Sequence, residues 1–450
     1  MKNLMGSGFW PPALPFLFSS MYLLYSFCFT VGLILAAPYF LYQGFFHKKY
    51  FAGLGQRLGF LPTAIALEHR NGIWVHAVSV GEFLAVLPLL HALKKEFPEN
   101  PLVVTTTTMT GQQLARQKLE GMAQVLMFPL DWSFVVRRFL RVLQPAIVLI
   151  VETELWPNFL RECHQEKVPL LLVNGRISDT SMVRYRKITW FMRSILKHFS
   201  YFLMQSHQDR DRLIGLGAPA EKIAVSGNLK YDLQPPQEIE RLSGTYRRQF
   251  GFTPDRFVVI AGSTMKGEEE MVVAAFQKLA ERVPHARLIL APRHPQRVQE
   301  VEGILATFGL PFKKRSELTG EAQPPPDCRV ILLDTMGELF PLYHLADAVF
   351  VGGSLVPRGG HNIMEPALYQ KPILVGPHMD NFREIARQFL ERQAALSVPD
   401  GPALADRLIE LARKPEWRTE LGARAGAILN QNRGATQRTL NQVRNCLAGT

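Results

Sequence analysis

Short apolar runs alternate with amphipathic helical segments along most of this chain. Several runs are rich in Val and Ile, which predicts strands that are buried on both faces. The first half carries such runs at residues 72–78, 101–107, 146–151, 170–173, 201–204 and 223–225. The second half carries them at residues 257–260, 287–290, 330–333, 348–351 and 372–375. Because strands that alternate with helices form parallel sheets, the pattern predicts an α/β protein with two doubly wound domains.

The alternation stops near Tyr231, and the pair Pro235-Pro236 follows shortly after it. Consecutive prolines end both helices and sheet ladders, so we predict a linker over residues 231–253. An N-terminal domain would then span residues 47–230 and a C-terminal domain residues 254–450. Ligands are expected at the carboxyl ends of the strands.

The N-terminal region is apolar and has no charged residue from Pro15 to Phe46. Its length suffices to cross a bilayer core of about 30 Å. Lys48 and Lys49 follow it and only Lys2 precedes it, so the positive-inside rule places the bulk of the chain in the cytoplasm. We therefore predict a membrane span or anchor over residues 1–46. A cleaved signal peptide and a buried hairpin of core helices are the alternatives.

The chain of 450 residues has a formal net charge of +12, which favours an anionic membrane or a phosphorylated substrate as partner. The basic residues are scattered and form no nucleic-acid-binding motif, so we predict no nucleic-acid partner. Neither the four cysteines nor the twelve histidines show metal-ligand spacing, and we predict no metal and no cofactor. Asp209 and Asp211 resemble a metal-binding pair, but in a helix they would point to different faces.

The segment from Val351 to Pro366 contains two glycine pairs, Gly352-Gly353 and Gly359-Gly360. We predict that a helix begins just after the second pair, at His361 or Asn362. Glycines let the backbone approach a ligand and leave amide N–H groups free, and a helix N-terminus favours a phosphate. Asn362 and Glu365 have the spacing of a capping box, and Glu365 could also bind ribose hydroxyls. A glycine-rich turn with an ordinary cap is the alternative.

Four charged residues of the first half follow predicted strands. Glu82 lies in the first turn of a helix, where it is a candidate general base or merely complements the helix dipole. Glu152 and Glu154 end an apolar strand, where they could contact substrate or lie in a solvated loop. Lys230 precedes the linker and could bind an anionic donor group, or it could be an ordinary surface lysine.

Loops of the second half also follow strands and would converge on one edge of its sheet. Each loop alone is typical of a surface turn, but together they indicate a nucleotide pocket with basic and amide contacts to phosphate. The possible donor contacts are Ser263, Thr264, Lys266, His294, Gly352, Gly353, Arg358, Gly359 and Gly360.

The segment 184–198 mixes cations with large apolar side chains at helical spacing. It could contact anionic headgroups or the phosphates of an acceptor, or it could pack on the N-terminal sheet with its cations solvated. The cations are Arg184, Arg186, Lys187, Arg193 and Lys197.

Seven motifs, taken in order, resemble those of the 3-deoxy-D-manno-octulosonic acid (Kdo) transferases of lipopolysaccharide synthesis. They are Ser79-Val-Gly-Glu82, Glu152-Thr-Glu-Leu-Trp-Pro157, Asn174-Gly-Arg-Ile-Ser178, Gly227-Asn-Leu-Lys-Tyr-Asp232, Pro292-Arg-His-Pro295, Asp334-Thr-Met-Gly-Glu-Leu339 and Gly359-Gly-His-Asn-Ile-Met-Glu-Pro366. The resemblance implies a GT-B fold of two Rossmann-like domains and an inner-membrane enzyme that faces the cytoplasm. It also implies a metal-independent transfer of Kdo from CMP-Kdo to a lipid A precursor (lipid IVA), with inversion at the anomeric carbon.

The same resemblance implies roles for individual residues. Glu82 would be the general base, and Glu152 and Lys230 would stabilise the transition state. The residues that would bind CMP are Pro292, Arg293, Met336, Gly337, Glu338, Asn362, Ile363, Met364 and Glu365.

Two other functions fit the same pattern. One is a GT-B glycosyltransferase that uses a UDP-sugar and an isoprenoid-linked acceptor. The other is a non-catalytic, membrane-anchored binding protein, which the carboxylate at Glu82 argues against. The nucleotide that is bound, and turnover of CMP-Kdo, distinguish the three.

Overall fold

A computed structural model of the chain describes residues 15–47, 53–62, 70–318 and 323–449. The first fourteen residues of the predicted anchor, and the cations Lys48 and Lys49, lie outside the described residues. The chain divides into two compact units, one with the residues up to Asp232 together with those from Arg433 onwards, and one with Leu233–Asn432.

The first unit contains a sheet of seven parallel strands in the order β3-β2-β1-β4-β5-β6-β7. The strands are β1 Ile73–His76, β2 Leu102–Thr106, β3 Ala123–Met127, β4 Ile147–Val151, β5 Leu170–Gly175, β6 Tyr201–Met204 and β7 Ile223–Val225. Its described helices before the unit boundary are α1 Pro15–His47, α2 Leu54–Arg57, α3 Val80–Glu96, α4 Met109–Lys118, α5 Ser133–Leu143, α6 Pro157–Gln165, α7 Asp179–Arg186, α8 Thr189–Leu196 and α9 His207–Gly215.

The second unit contains another sheet of seven parallel strands, in the order β10-β11-β9-β8-β12-β13-β14. The strands are β8 Phe257–Thr264, β9 Ala286–Pro292, β10 Phe312–Lys314, β11 Val330–Leu332, β12 Ala348–Val351, β13 Ile373–Val375 and β14 Leu396–Ser397. The described helices are α10 Ile239–Phe250, α11 Glu269–Arg282, α12 Val298–Thr307, α13 Leu339–Leu342, α14 Met364–Leu368, α15 Arg383–Glu391, α16 Gly401–Arg413 and α17 Pro415–Asn432. The chain returns to the first unit with α18, Ala435–Ala448.

The strand cores explain why apolar runs predicted this fold. Successive side chains of a strand point to opposite faces, and in β1 Trp74 packs in one core cluster while Ile73 and Val75 pack in another. Both faces of the first sheet are therefore covered, as continuous apolar runs require. The prediction of two doubly wound α/β domains is confirmed.

Each sheet has a point where the strand order reverses. In the first sheet it lies between β1 and β4, and in the second between β8 and β12. Crevices outside the carboxyl ends of such strands are the usual ligand sites of open parallel sheets. Glu82, Glu152 and Gly352 come after three of these strands, and Ser263 is the next-to-last residue of β8, so both reversals coincide with predicted site residues.

Several elements differ from the prediction. Strands β3, β10 and β14 were not predicted, because they are short or poor in β-branched residues. The predicted linker 231–253 contains helix α10, whose one face buries Ile239, Tyr246 and Phe250. The amphipathic segment 184–198 is not one helix, because α7 ends at Arg186 and α8 begins at Thr189.

The last helix also differs from its predicted place in the C-terminal domain. Helix α18 lies in the first unit and buries Leu440 and Val443 in the core cluster beneath α3. The Asp232 carboxylate accepts hydrogen bonds from the N–H groups of Gly434, at 2.7 Å, and Thr436, at 2.5 Å, at the start of this helix. Apolar burial and a capping carboxylate thus tie the C-terminal segment to the N-terminal fold.

Helix α1 combines a face that contacts the first unit with a face that is exposed. The stretch Met21–Tyr39 has a mean hydropathy of 1.7 and is long and apolar enough to cross a membrane. On the inner face, the Tyr22 hydroxyl hydrogen-bonds His198 Nε2 at 2.8 Å, and Trp132 Nε1 donates to Thr30 Oγ1 at 2.9 Å. The outer face exposes large apolar side chains, among them Leu23, Leu24, Phe27, Ile34 and Leu35.

Candidate active site

Glu82 lies in the first turn of α3, directly beyond the carboxyl end of β1. Its carboxylate accepts hydrogen bonds from the Val78 N–H at 2.7 Å and from the Ser79 hydroxyl at 3.0 Å. The Ser79 oxygen in turn accepts from the Glu82 N–H at 3.3 Å, so Ser79 caps the helix. The bonds differ from a capping box, because the carboxylate accepts the N–H of Val78 and not that of Ser79. These bonds fix the direction of the half-buried Glu82 carboxylate in the first turn of the helix, where its charge also complements the helix dipole.

Glu152 and Lys230 face each other at the carboxyl end of the same sheet, with Lys230 Nζ 4.0 Å from Glu152 Oε1. Two asparagines hold the turn that carries Lys230. Asn174 Oδ1 accepts the Leu229 N–H at 3.0 Å, and Asn228 Oδ1 accepts the Lys230 N–H at 3.0 Å. The two asparagines are positioning residues whose role the sequence did not reveal, although both lie in motifs that carry the family resemblance.

The carboxylates near Glu82 interact electrostatically. Burial raises the pKa of Glu82, the charge of Glu152 raises it further, and the Val78 N–H and Lys230 oppose the shift. Burial also raises the pKa of Glu154 to about 7, with further contributions from Glu82 and Glu152. A carboxylate of raised pKa is a stronger base than a solvated one, so this cluster can accept a proton near neutral pH.

Glu154 is also a member of this cluster, whereas the sequence predicted for it either a substrate contact or a place in a solvated loop. It was visible only as the second acid at the end of β4, two residues beyond Glu152. Its interaction with Glu82 depends on how β1 and β4 pair in the sheet, which the sequence does not show.

In the second unit a buried carboxylate organises the glycine-rich loop after β12. Glu268 is fully buried and accepts four backbone hydrogen bonds. Their donors are the N–H groups of Gly353 at 2.6 Å, Leu355 at 2.8 Å, and Ser354 and Met265 at 2.9 Å each. The sequence placed Glu268 only near a helix start and did not indicate this role.

The prediction that the loop glycines leave amide groups free is wrong for three of them. The Gly352 N–H donates to the Gly262 carbonyl, that of Gly353 to Glu268, and that of Gly360 to the Gly353 carbonyl. Gly352 is instead needed for close approach, because a Cβ there would lie 2.4 Å from the Ser263 carbonyl oxygen.

The Asn362–Glu365 pair forms local bonds close to those expected from its spacing. Asn362 Oδ1 accepts the Met364 N–H at 3.1 Å, and its amide donates to Glu365 Oε1 at 3.1 Å. Helix α14 begins at Met364, later than predicted, and is only five residues long. Burial raises the pKa of Glu365 to about 7, while Asn362 and Arg293 oppose the shift.

Arg293 brings a second motif to the same place. The Arg293 N–H donates to the Thr264 carbonyl at 2.9 Å, which joins the ends of β8 and β9. Burial lowers the pKa of His361 to about 4, and the nearby Arg293 and His294 contribute to the shift. The structure thus brings the predicted Pro292–His294 loop next to the segment around Asn362, although the two lie far apart in sequence.

The remaining predicted CMP-binding loop is anchored by Glu338. Its carboxylate accepts hydrogen bonds from the Tyr246 hydroxyl at 3.2 Å and from Arg315 Nε at 3.1 Å. Gly337 has a φ of 84°, which favours glycine, and the neighbouring Met336 side chain is 72% exposed.

Two of the possible donor contacts have other partners. Lys266 is exposed and its Nζ lies 3.6 Å from Glu300 Oε1. Arg358 is exposed, and its carbonyl accepts a hydrogen bond from the Asn381 amide at 3.1 Å. A Cβ at Gly359 would lie 2.6 Å from that amide, so this glycine is required by packing.

The five cations of segment 184–198 are all exposed, and so is Trp190 of α8. The next residue, Phe191, packs against Tyr22 of the apolar helix α1 with ring centroids 6.5 Å apart. Cations and an apolar side chain are thus exposed in a segment that contacts α1, which suits an interaction with lipid or with acceptor phosphates.

The Asp209–Asp211 pattern has a structural role in this fold. Asp209 accepts the Ile177 N–H at 2.9 Å and caps α9 together with Ser206, whereas Asp211 is exposed.

Comparison with known proteins identifies the family. Residues 52–233 match the family described as 3-deoxy-D-manno-octulosonic-acid transferase (kdotransferase). The chain is 36% identical to the 3-deoxy-D-manno-octulosonic acid transferase of Haemophilus influenzae, over 87% of this chain and 91% of that protein. It is 34% identical to the protein of the same name from Bordetella pertussis, over 83% of this chain and 87% of that protein.

A solved structure supports the fold. The UDP-GlcNAc 2-epimerase of Neisseria meningitidis aligns with a TM-score of 0.55 at 14% identity, over 83% of this chain and 100% of that one. Its likeness concerns the GT-B-like arrangement of two parallel sheets alone. The sequence relatives carry the assignment, and this chain belongs to the 3-deoxy-D-manno-octulosonic acid transferase family.

Proposed function

We propose that this protein transfers Kdo from CMP-Kdo to a lipid A precursor, with inversion at the anomeric carbon and without a metal ion. The observation that carries this proposal is the cluster of Glu82, Glu152, Glu154 and Lys230 at one sheet edge, inside the part of the chain that matches the family. The cluster combines a candidate base with charges suited to an oxocarbenium-like transition state.

Glu82 accepts the proton of the acceptor hydroxyl while the hydroxyl oxygen attacks the anomeric carbon of Kdo. The bond from that carbon to the phosphate oxygen breaks, and CMP leaves with the electron pair. Attack from the face opposite CMP inverts the configuration. Each Glu82 oxygen accepts one hydrogen bond from Val78 or Ser79 and retains a lone pair for the proton.

Glu152 and Lys230 act on the charges that develop in this step. The Glu152 carboxylate offsets positive charge on the sugar ring, and the Lys230 ammonium stabilises the donor carboxylate or the departing phosphate. Their separation of 4.0 Å is longer than a tight ion pair, so either group can interact with substrate at little cost.

The second unit binds the CMP group. Arg293 supplies a cation next to Glu365, and Glu365 with Asn362 offers polar atoms to the ribose hydroxyls. Met336, Gly337 and the other residues that the resemblance assigns to CMP complete the CMP-binding site.

Helix α1 attaches the protein to the inner membrane, with the catalytic units in the cytoplasm. Side chains of the folded unit contact α1 at Tyr22 and Thr30, and the Arg161 guanidinium lies over the Tyr22 ring at 4.5 Å. A helix that crossed the bilayer at these residues would bring the charged Arg161 to the same depth, which is costly. Of a span and a surface anchor, these contacts favour an anchor whose outer face meets lipid.

The test measures transfer from CMP-Kdo to a tetra-acylated lipid A precursor in detergent. We expect product from the wild type and a loss of at least about a hundredfold in kcat for Glu82→Gln. Glu99→Gln changes an exposed carboxylate and serves as the matched control.

Each outcome has a distinct meaning. No product from folded wild type that binds UDP and not CMP would replace this proposal with the UDP-sugar reaction. Equal product from wild type and Glu82→Gln would leave the transfer reaction and remove Glu82 from its chemistry.

A further inference from the structure

An apolar cavity of about 290 Å³ lies between α1 and the rest of the first unit. Its lining is apolar apart from Arg57 and Asp131. The lining residues are Phe29, Leu33, Ala37, Leu41, Leu54, Arg57, Pro129, Leu130, Asp131 and Trp156.

The lining suits a hydrocarbon. Phe29, Leu33, Ala37 and Leu41 recur every four residues and form one stripe along the inner side of α1. The charge of Asp131 is directed to the backbone, because its carboxylate accepts the N–H groups of Asn158 at 3.1 Å and Phe159 at 2.7 Å. Apart from Arg57 and the indole N–H of Trp156, a polar ligand would therefore find few partners in this cavity.

The cavity is bounded on one side by a helix with an outward apolar face. Leu23, Phe27, Ile34 and Leu35 of α1 are exposed on that face, and Leu35 is 76% exposed. If this face meets lipid, as proposed above, the cavity lies directly behind a surface that contacts acyl chains.

One residue of the cavity lining belongs to the loop that carries the carboxylates Glu152 and Glu154. This residue, Trp156, follows Glu154 by two residues. The Trp156 ring packs against Phe128 with centroids 5.7 Å apart, and Phe128 stacks on His76, the last residue of β1, at 3.7 Å. Trp156 therefore connects the cavity lining, through Phe128, to the strand that leads to Glu82.

We propose that this cavity binds one acyl chain of the lipid acceptor and thereby presents the acceptor hydroxyl to Glu82. The inference rests on the proposed function, because only an acceptor with acyl chains has a group for this cavity. Arg57 adds a cation to the lining, which suits a chain attached to an anionic headgroup.

Filling the cavity tests the proposal. Ala37→Trp places a large ring in the stripe that lines the cavity, and Leu35→Trp adds the same ring to the exposed face as a matched control. We measure kcat/KM with the long-chain acceptor and with an analogue that has the same headgroup and short acyl chains. Because each buried methylene contributes about fourfold to binding, Ala37→Trp is expected to lose at least about tenfold on the long-chain acceptor only. The control is expected to resemble the wild type on both.

Two results would overturn the acyl site. One is an equal effect of Ala37→Trp on both acceptors, or no effect, while wild type transfers Kdo. The other comes from an acceptor with a photoreactive diazirine at its chain end, whose cross-links are mapped in the wild-type protein with or without turnover. We expect cross-links at Leu33, Ala37 or Leu130, and unlabelled acceptor should abolish them.

The same cross-linking separates the acceptor from membrane lipid as the occupant. Labelling by a diazirine phospholipid that excess acceptor does not reduce would assign the cavity to a structural lipid and refute our proposal. Failure of the proposed function gives a different result, in which wild type forms no product with either acceptor.

Discussion

At the scale of single residues, the carboxylates around Glu82 determine how the site responds to pH. The charge of Glu152 raises the pKa of Glu82 and that of Lys230 lowers it. These opposite effects should appear in the pH dependence of kcat/KM, which a merely structural cluster would not alter. Because the base must be ionised, the acid limb of kcat/KM follows the pKa of Glu82 in the free enzyme.

We expect Glu152→Gln and Lys230→Gln to shift this acid limb in opposite directions. Loss of the negative charge at Glu152 should move the limb to lower pH, and loss of the cation at Lys230 should move it to higher pH. The measurement is kcat/KM against pH for both variants and for Glu99→Gln, which should leave the limb in place. A shift of both variants in the same direction would contradict the electrostatic roles given to Glu152 and Lys230.

Glu154 links the same cluster to stability. Its pKa in the folded chain is about 7, against an ordinary value of 4.5, so its protonated form is favoured by folding. Its contribution to stability is then complete below about pH 4.5 and is lost as pH rises through about 7.

We expect Glu154→Gln to leave stability unchanged at about pH 4 and to raise it by about 1 kcal/mol at about pH 8, after allowing for partial solvent exposure. Thermal unfolding at the two pH values measures the difference. A variant that is less stable than wild type at the higher pH would show that Glu154 makes favourable contacts in its ionised form.

Substitution of Glu268 should affect the glycine-rich loop after β12 without altering the residues that carry out the transfer step. Gln in its place offers one acceptor oxygen, and its NH₂ group would face N–H donors that now bind the carboxylate. We expect Glu268→Gln to lower the free energy of unfolding of the second unit by about 3 kcal/mol and to weaken CMP binding. Unfolding by urea and titration with CMP measure the two effects. Glu270→Gln, two residues away and exposed, should change neither.

At the scale of elements, α18 shows how a terminal segment contributes to a unit far from it in sequence. Its own residues Leu440 and Val443 pack into the core beside α3, and Asp232 caps its first turn. Removal of this helix would expose the apolar surface beneath it, whereas the second unit would keep its own core.

We expect truncation after Asn432 to destabilise the first unit and to abolish Kdo transfer, while CMP binding by the second unit persists. Replacement of Leu440 by Ala should have a smaller effect in the same direction, about 2–4 kcal/mol, because it leaves a cavity. Calorimetry and CMP titration measure both changes. Loss of CMP binding in the truncated protein, with Leu440→Ala unaffected, would show that α18 is also required by the second unit.

At the scale of the whole molecule, the net charge of +12 and the exposed face of α1 act together. The exposed cations of segment 184–198 belong to the part of the chain that contacts α1 through Phe191, and Trp190 there is 60% exposed. Membrane attachment should therefore combine apolar insertion with attraction to anionic headgroups.

We expect Arg184→Gln, Arg186→Gln and Lys187→Gln, made together, to weaken binding to anionic vesicles by at least about tenfold, because each cation near the surface contributes about 1 kcal/mol. Binding to neutral vesicles should not change. Co-sedimentation with vesicles of both compositions is the measurement, and Lys278→Gln, Arg282→Gln and Arg387→Gln, exposed in the second unit, are the matched control. An equal loss in both triple variants would point to net charge alone.

Two kinds of site information were accessible from the sequence. Motifs at strand ends placed Glu82, Glu152 and Lys230 together, because parallel strands end at one sheet edge. Capping spacings identified local bonds, as in the pair Asn362 and Glu365. Side chains whose partners are distant in sequence were missed, such as Asn174, which holds the turn before Lys230.

The sequence by itself determined the two doubly wound units, the apolar helix and the family. These depend on local periodicity and on motifs whose residues are contiguous in the chain. Tertiary structure alone decided that Glu268 binds the loop amides, that Glu154 joins the Glu82 cluster, and that α18 returns to the first unit. It also decided where α1 docks and which cavity it encloses. The physical reason is that burial, desolvation and long-range hydrogen bonds depend on which surfaces meet, and chain order does not specify that.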